Sequence, residues 1–155
     1  MNFQTFVQLS KIDIQKRQVW GVAAVEQPDL SNEIMDFEKS APNFKLWSDK
    51  VYMASQGKSK GNVREMHQAI AVGKVISMEL RHDTKQVYVG VEVVDDQAWN
   101  KVQKGVYTGF SIGGDYGARW QDQGLTRYEA KPTEISLVDL PCMPDAQFEI
   151  VKGSR

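Results

Sequence analysis

A chain of 155 residues is long enough for one domain that buries about two-thirds of the surface its unfolded form exposes, and 19 Lys and Arg against 20 Asp and Glu leave a net charge of -1. That balance lacks the basic surplus of a protein living on nucleic acid, so no nucleic-acid partner is expected. One cysteine, Cys142, excludes an internal disulfide, and with two histidines in no C-x-x-C or H-x-x-x-H spacing it gives no zinc signature.

The N-terminal sequence has no basic region leading into an apolar run, and no segment approaches the ~18 apolar residues of a membrane span, so a cytoplasmic chain without membrane, metal or cofactor is expected. Residues 3–14 alternate loosely through Phe3, Thr5, Val7 and Leu9, and residues 18–25 (Q-V-W-G-V-A-A-V) form a richer apolar run. Both read as strands. Over about 28–60 the pattern turns helical, through Leu30, Ile34 and Phe37, then Phe44, Leu46, Trp47, Val51 and Tyr52, with Pro42 dividing two helical pieces. A basic, flexible loop, G-K-S-K-G at 57–61, closes this helical insertion.

Two strands follow, one with Val72, Ile76, Met78 and Leu80 on a face, the other with Val87, Val89, Val91 and Val93. Residues 81–85 read as the turn between them. Asp95 is placed to cap a short helix whose stripe is Ala98, Trp99 and Val102 and whose stop is Gly105. Residues 106–112, 126–130, 133–140 and 147–151 are short and rich in β-formers. About eight strands with two or three inserted helices make the chain mainly β (α+β), a largely antiparallel sheet closed into a barrel or sandwich. The last four residues, K-G-S-R, read as a frayed or truncated end of this single domain, 1–155.

Within the strand at 106–112 stands G-F-S-I-G-G, residues 109–114, whose first five letters match the G-x-S-x-G serine-hydrolase elbow. The α/β-hydrolase order is Ser, acid, His, yet His67 and His82 both precede Ser111, and G-G-D-Y-G is a poor start for the helix an elbow requires. The elbow reading fails. A serine hydroxyl still becomes a nucleophile when a histidine takes its proton. His82 falls in the turn at 81–85, where a solvated surface residue is the simpler account. His67 ends the stretch from loop into sheet and suits a structural or a catalytic role equally.

The acids available to orient such a histidine are Glu65, Asp95, Asp96, Asp115, Glu129, Glu134 and Asp139. Glu134 opens an apolar strand, E-I-S-L-V, where an unpaired carboxylate would be costly, although an exposed edge charge would also fit. Asp139 could equally start the turn into Pro141.

G-N-V-R-E-M-H (61–67), V-V-D-D-Q-A-W-N-K-V-Q-K-G-V-Y-T-G-F-S-I-G-G (93–114) and E-I-S-L-V-D-L-P-C-M-P-D-A (134–146), in that order, resemble the tailed-phage prohead serine proteases, the XkdF-like branch above all, over residues 19–151. The resemblance implies a closed β-barrel with helices, distantly similar to the herpesvirus assembly proteases. It implies a capsid-maturation endopeptidase inside the assembling prohead in the bacterial host, cutting scaffolding protein, major capsid protein and itself, with room for a homo-oligomer. It makes Ser111 the nucleophile, His67 the base and Glu134 the third member, where the herpesvirus enzymes carry a second histidine. The chain has D-L-P-C where those relatives have an arginine-rich turn. Backbone N-H groups of Ile112, Gly113 and Gly114 are then the expected oxyanion donors. Two rivals stand: a non-catalytic capsid or scaffold module that keeps the fold, and a cysteine hydrolase using Cys142, whose P-C-M-P setting offers nothing to lower a thiol pKa.

Overall fold

The structure, a computed structural model, describes residues 2–4, 6–13 and 15–139. The expected strand at 147–151 and Cys142 lie outside the described residues. In chain order the elements are β1 (Asn2–Gln4), β2 (Val7–Asp13), β3 (Gln18–Val25), β4 (Glu33–Met35), α1 (Phe37–Ala54), β5 (Asn62–Glu65), β6 (Ala71–Arg81), β7 (Gln86–Val93), α2 (Asp96–Gln103), β8 (Gly109–Asp122) and β9 (Leu125–Val138). The strands form one sheet in the order β1-β8-β2-β3-β7-β6-β5-β9-β4, and β8 also pairs with β9. The pairings are antiparallel except for β4 and β5, which run parallel to β9.

The sheet is a curled half-barrel, not the closed barrel expected. β8 meets β2 only at Val7↔Phe110 and Gln8↔Gly109, then follows β9 from Gly109↔Val138 to Asp122↔Leu125. The β2–β8 contact is thus two residue pairs long, whereas β8 and β9 stay paired over most of their length. Its two-residue connection, Gln123 and Gly124, has both φ positive (52° and 84°), the primed turn whose twist matches paired strands.

Alternation was a sound guide where strands are long. Val87, Val89, Val91 and Val93 are all fully buried, and burying each stabilises by about 1.5–3 kcal/mol. In β6 a bulge between Val75 and Ser77 shifts the register, so Val75 is buried and Ile76 is not. The segments expected at 126–130 and 133–140 are one strand, β9, with Pro132 accommodated at the register shift opposite Gly114.

The insertion expected to be helical over 28–60 is helical only from Phe37 to Ala54. Leu30 is 93% exposed in a turn and Ile34 sits in β4. Pro42 does not divide the helix: it lies on the exposed face of the second turn, where the unpaired carbonyl of Glu38 is tolerable. Asp36 caps α1 by accepting from the Lys39 N-H at 3.0 Å and also holds Arg127 Nε at 2.8 Å on β9. Phe37, Ala41, Phe44 and Trp47 form the buried stripe. Asn43 Nδ2 ties the helix to β9 at Glu129 Oε2 (2.8 Å) and Ala130 O (2.9 Å), and Trp47 Nε1 donates to Asn62 Oδ1 (2.8 Å) at the start of β5. Through these contacts the helix fixes where β5 begins.

α2 matches the sequence reading. Asp95 accepts from the Ala98 N-H at 2.9 Å, and Ala98, Trp99 and Val102 are buried. Gly105 (φ 74°) closes a Schellman end with Gly105 N-H to Val102 O and Val106 N-H to Lys101 O.

Candidate active site

In an antiparallel ladder, residues directly opposite share a face, and the face recurs every second residue. Ser111 lies opposite Ser136 and Gly113 opposite Glu134. Ser111, Gly113, Ser136 and Glu134 therefore share one face of the β8–β9 pair. Phe110, Ile112, Ile135 and Leu137 point into the core on the other, each fully buried. G-F-S-I-G is thus a strand pattern that flanks Ser111 with a glycine on each side along its own face. A Cβ on Gly109 would lie 2.5 Å from the Phe6 ring, and one on Gly113 would lie 2.9 Å from Glu134 Cδ and 3.1 Å from His67 Nδ1. The two glycines leave the space these side chains occupy.

His67 reaches this face from β5. That strand runs parallel to β9 as far as Glu65↔Leu137, then reverses in a type I′ turn, with Gln68 N-H bonded to Glu65 O at 3.0 Å and both Met66 (φ 53°) and His67 (φ 57°) left-handed. For residues with a Cβ this conformation costs roughly 1–2 kcal/mol each. The turn is pinned by Met66 N-H to Leu137 O (3.0 Å) and His67 N-H to Ser136 Oγ (3.0 Å). Next to it Glu65 accepts from the Tyr107 hydroxyl at 2.5 Å, and burial first, that bond second, pushes the Tyr107 phenol up.

The result is a chain of contacts. His67 Nε2 is 2.7 Å from Ser111 Oγ, and His67 Nδ1 is 2.5 Å from Glu134 Oε2. The other carboxylate oxygen, Glu134 Oε1, accepts from the Ser136 hydroxyl at 2.6 Å. An ionised carboxylate only accepts, so Nδ1 carries the imidazole proton and the Nε2 lone pair faces the serine hydroxyl. Glu134 is only 4% exposed. Burying such a charge alone would cost several kcal/mol, and the two donors compensate it. Chemically, the arrangement is set to draw a proton from Ser111 to Nε2 while the carboxylate faces the forming imidazolium.

Ser111 is fully buried and the His67 side chain is 16% exposed. Two cavities adjoin the pair. One, of about 220 Å³, touches Ser111 and is walled by Phe6, Val7, Ala24, Met35, Leu30 and Tyr128 among others. The second, of about 170 Å³, is polar and touches Arg64, His67, Gly113, Thr133 and Glu134. Gln4 borders both. β1 crosses beside the site, with Gln4 opposite Gly113 and Phe3 opposite Gly114.

Sequence reasoning selected Ser111, His67 and Glu134, and these converge. Ile112 turns its side chain into the core, while Gly113 and Gly114 lie in β8 between β9 and β1. The other acids are engaged elsewhere or open to solvent: Asp95 caps α2, Asp96 pairs with Arg17 at 2.8 Å, Glu129 holds Asn43, and Asp115 and Asp139 are exposed. His82 is on the surface, 3.1 Å from Glu38. Among the described residues no group of three His, Cys, Asp or Glu is placed to hold a metal ion. Ser136 was not singled out from sequence. Its signal was available: a polar residue two after Glu134, on the same face of an otherwise apolar strand.

No family model matches the sequence, and no curated protein does. Among solved structures, the chain is similar to the bacteriophage T4 capsid assembly protease gp21, with a TM-score of 0.66 over 91% of this chain and 98% of that one, at 12% identity. At that identity the two proteins share a fold, and the likeness does not reach to the XkdF-like branch or the herpesvirus enzymes.

Proposed function

We propose that the protein is a serine endopeptidase of phage prohead maturation, in which Ser111 attacks the peptide carbonyl, His67 takes its proton and returns it to the leaving amine, and Glu134 orients His67 and supports its charge. Water then hydrolyses the acyl-enzyme. The observation that carries this reading is the contact chain Ser111 Oγ, His67 Nε2, His67 Nδ1, Glu134 Oε2. A fold shared with a capsid assembly protease supports it. A non-catalytic module with this fold would have no need to align three such groups on contacts of 2.7 and 2.5 Å.

The proposed substrates are scaffolding protein, major capsid protein and the chain itself, met inside the assembling prohead in the bacterial host. The cavity beside Ser111 suits an apolar side chain next to the scissile bond. Backbone N-H groups of Ile112 to Gly114 are the proposed oxyanion donors, each contributing about 3 kcal/mol. Because β1 pairs beside Gly113 and Gly114 and Ser111 is buried, substrate enters when the β1 segment moves aside. That movement both uncovers the hydroxyl and frees strand-edge donors.

The test is co-expression of the protease with its scaffolding and capsid proteins, wild type against Ser111→Ala. Processing is expected only with wild type. Equal processing by both would remove the nucleophile assignment.

A further inference from the structure

We infer that Ser136 is a positioning residue whose hydroxyl locks the acid and the histidine of this site into one register; the inference rests on the catalytic reading above. A hydroxyl has one proton to give and lone pairs to receive. Ser136 uses both sides: its O-H donates to Glu134 Oε1 at 2.6 Å, and its oxygen accepts the backbone N-H of His67 at 3.0 Å. The first contact fixes the plane of the carboxylate, holding one oxygen on Ser136 so that the other faces His67 Nδ1. The second fixes the left-handed turn that carries the imidazole, where Met66 and His67 both have positive φ. Either contact alone would leave one partner free to drift.

The placement follows from register. Ser136 stands directly opposite Ser111 across the β8–β9 ladder and two residues from Glu134 on the same face, and it is fully buried, so no water competes for its bonds. Its hydroxyl is bonded to Glu134 and to the His67 backbone, so it acts through them.

The test uses the folded full chain, with a fluorophosphonate probe reporting Ser111 reactivity and the far-downfield proton resonance of His67 Nδ1-H reporting the acid contact. Ser136→Ala is expected to slow labelling by about 10²-fold, the effect of roughly 1 Å of misplacement, and to shift or broaden that resonance. Ser136→Thr, which keeps the hydroxyl, is expected to restore both. Wild-type labelling and resonance in Ser136→Ala, or equal defects in the Ala and Thr variants, would overturn the inference, the latter because packing rather than the hydroxyl would then be at issue. If wild type shows the resonance but takes no label even with the β1 segment removed, the catalytic reading fails, and the resonance in Ser136→Ala alone decides whether the hydroxyl positions the pair.

Discussion

Gly113→Ala is the substitution that bears hardest on the site's geometry. The new methyl would overlap Glu134 Oε2 and stand 2.9 Å from Glu134 Cδ and 3.1 Å from His67 Nδ1. Carbon atoms rest at about 3.5–4.0 Å, so the carboxylate must retreat by roughly 1 Å. That takes its 2.5 Å bond with His67 to the limit of hydrogen-bonding range. A buried charge deprived of its partner costs about 3–5 kcal/mol, which in a domain of this size lowers Tm by roughly 10 °C. Misplacement of about 1 Å costs about 10²-fold in rate, and full loss of the orienting acid about 10⁴-fold. Thermal denaturation and the rate of fluorophosphonate labelling measure the two effects. If Gly113→Ala melts and labels like wild type, Glu134 does not occupy the space beside His67, and the reasoning is refuted.

Glu134→Gln keeps the acid's volume but removes its charge, and is expected to slow labelling by about 10³–10⁴-fold; a loss under tenfold would count against its role. Asn43→Ala, which cuts both ties from α1 to β9, is expected to destabilise by about 1–2 kcal/mol. The Asn43 bond first, then the Ala118 N-H, hold the Glu129 carboxyl below its ordinary value of 4.5. A depressed folded pKa gives stability that is present above the ordinary pKa and lost as pH falls through the folded value. Denaturant unfolding should therefore show the Asn43→Ala deficit in full at pH 7 and a smaller one below about pH 4; an equal deficit at both would contradict this. At the alkaline end, burial and then the bond to Glu33 push the Tyr116 phenol up to about 12 from 10.0. A raised folded pKa gives stability that is complete below the ordinary value and lost as pH rises toward the folded one. Tyr116→Phe should flatten the stability loss between pH 10 and 12, and an unchanged slope would exclude Tyr116 as its source.

What could be read in advance follows the strength of local signals. Four valines at every second position can bury only as a strand, and Asp95 with Gly105 brackets α2 by cap chemistry alone. Glu134 stood out because a carboxylate opening an apolar strand needs a partner, and His67 and Ser111 came from motifs whose order resembles a known family. β4 and β5 left no such trace. They are three and four residues long, and their parallel pairing with β9 is decided by α1 lying between them in sequence and packing on the sheet. Leu30 and Ile34 mimicked helical spacing with Phe37, yet no helix stripe covers Leu30. The closed barrel was expected from strand count alone, which does not reveal that β2 and β8 meet over only two residue pairs, nor that β9 continues through Pro132 at a bulge. Ser136 offered one local signal, a polar residue two after Glu134 in an apolar strand, and its contact with His67 depends on a turn that lies far away in sequence.

Mass spectrometry of the protein after exposure to a fluorophosphonate tests the central claim most directly. The account predicts one adduct per chain, mapped to Ser111, abolished by Ser111→Ala and strongly reduced by His67→Ala. Labelling that persists in Ser111→Ala, or a wild-type chain that takes no adduct even with the β1 segment removed, would contradict it.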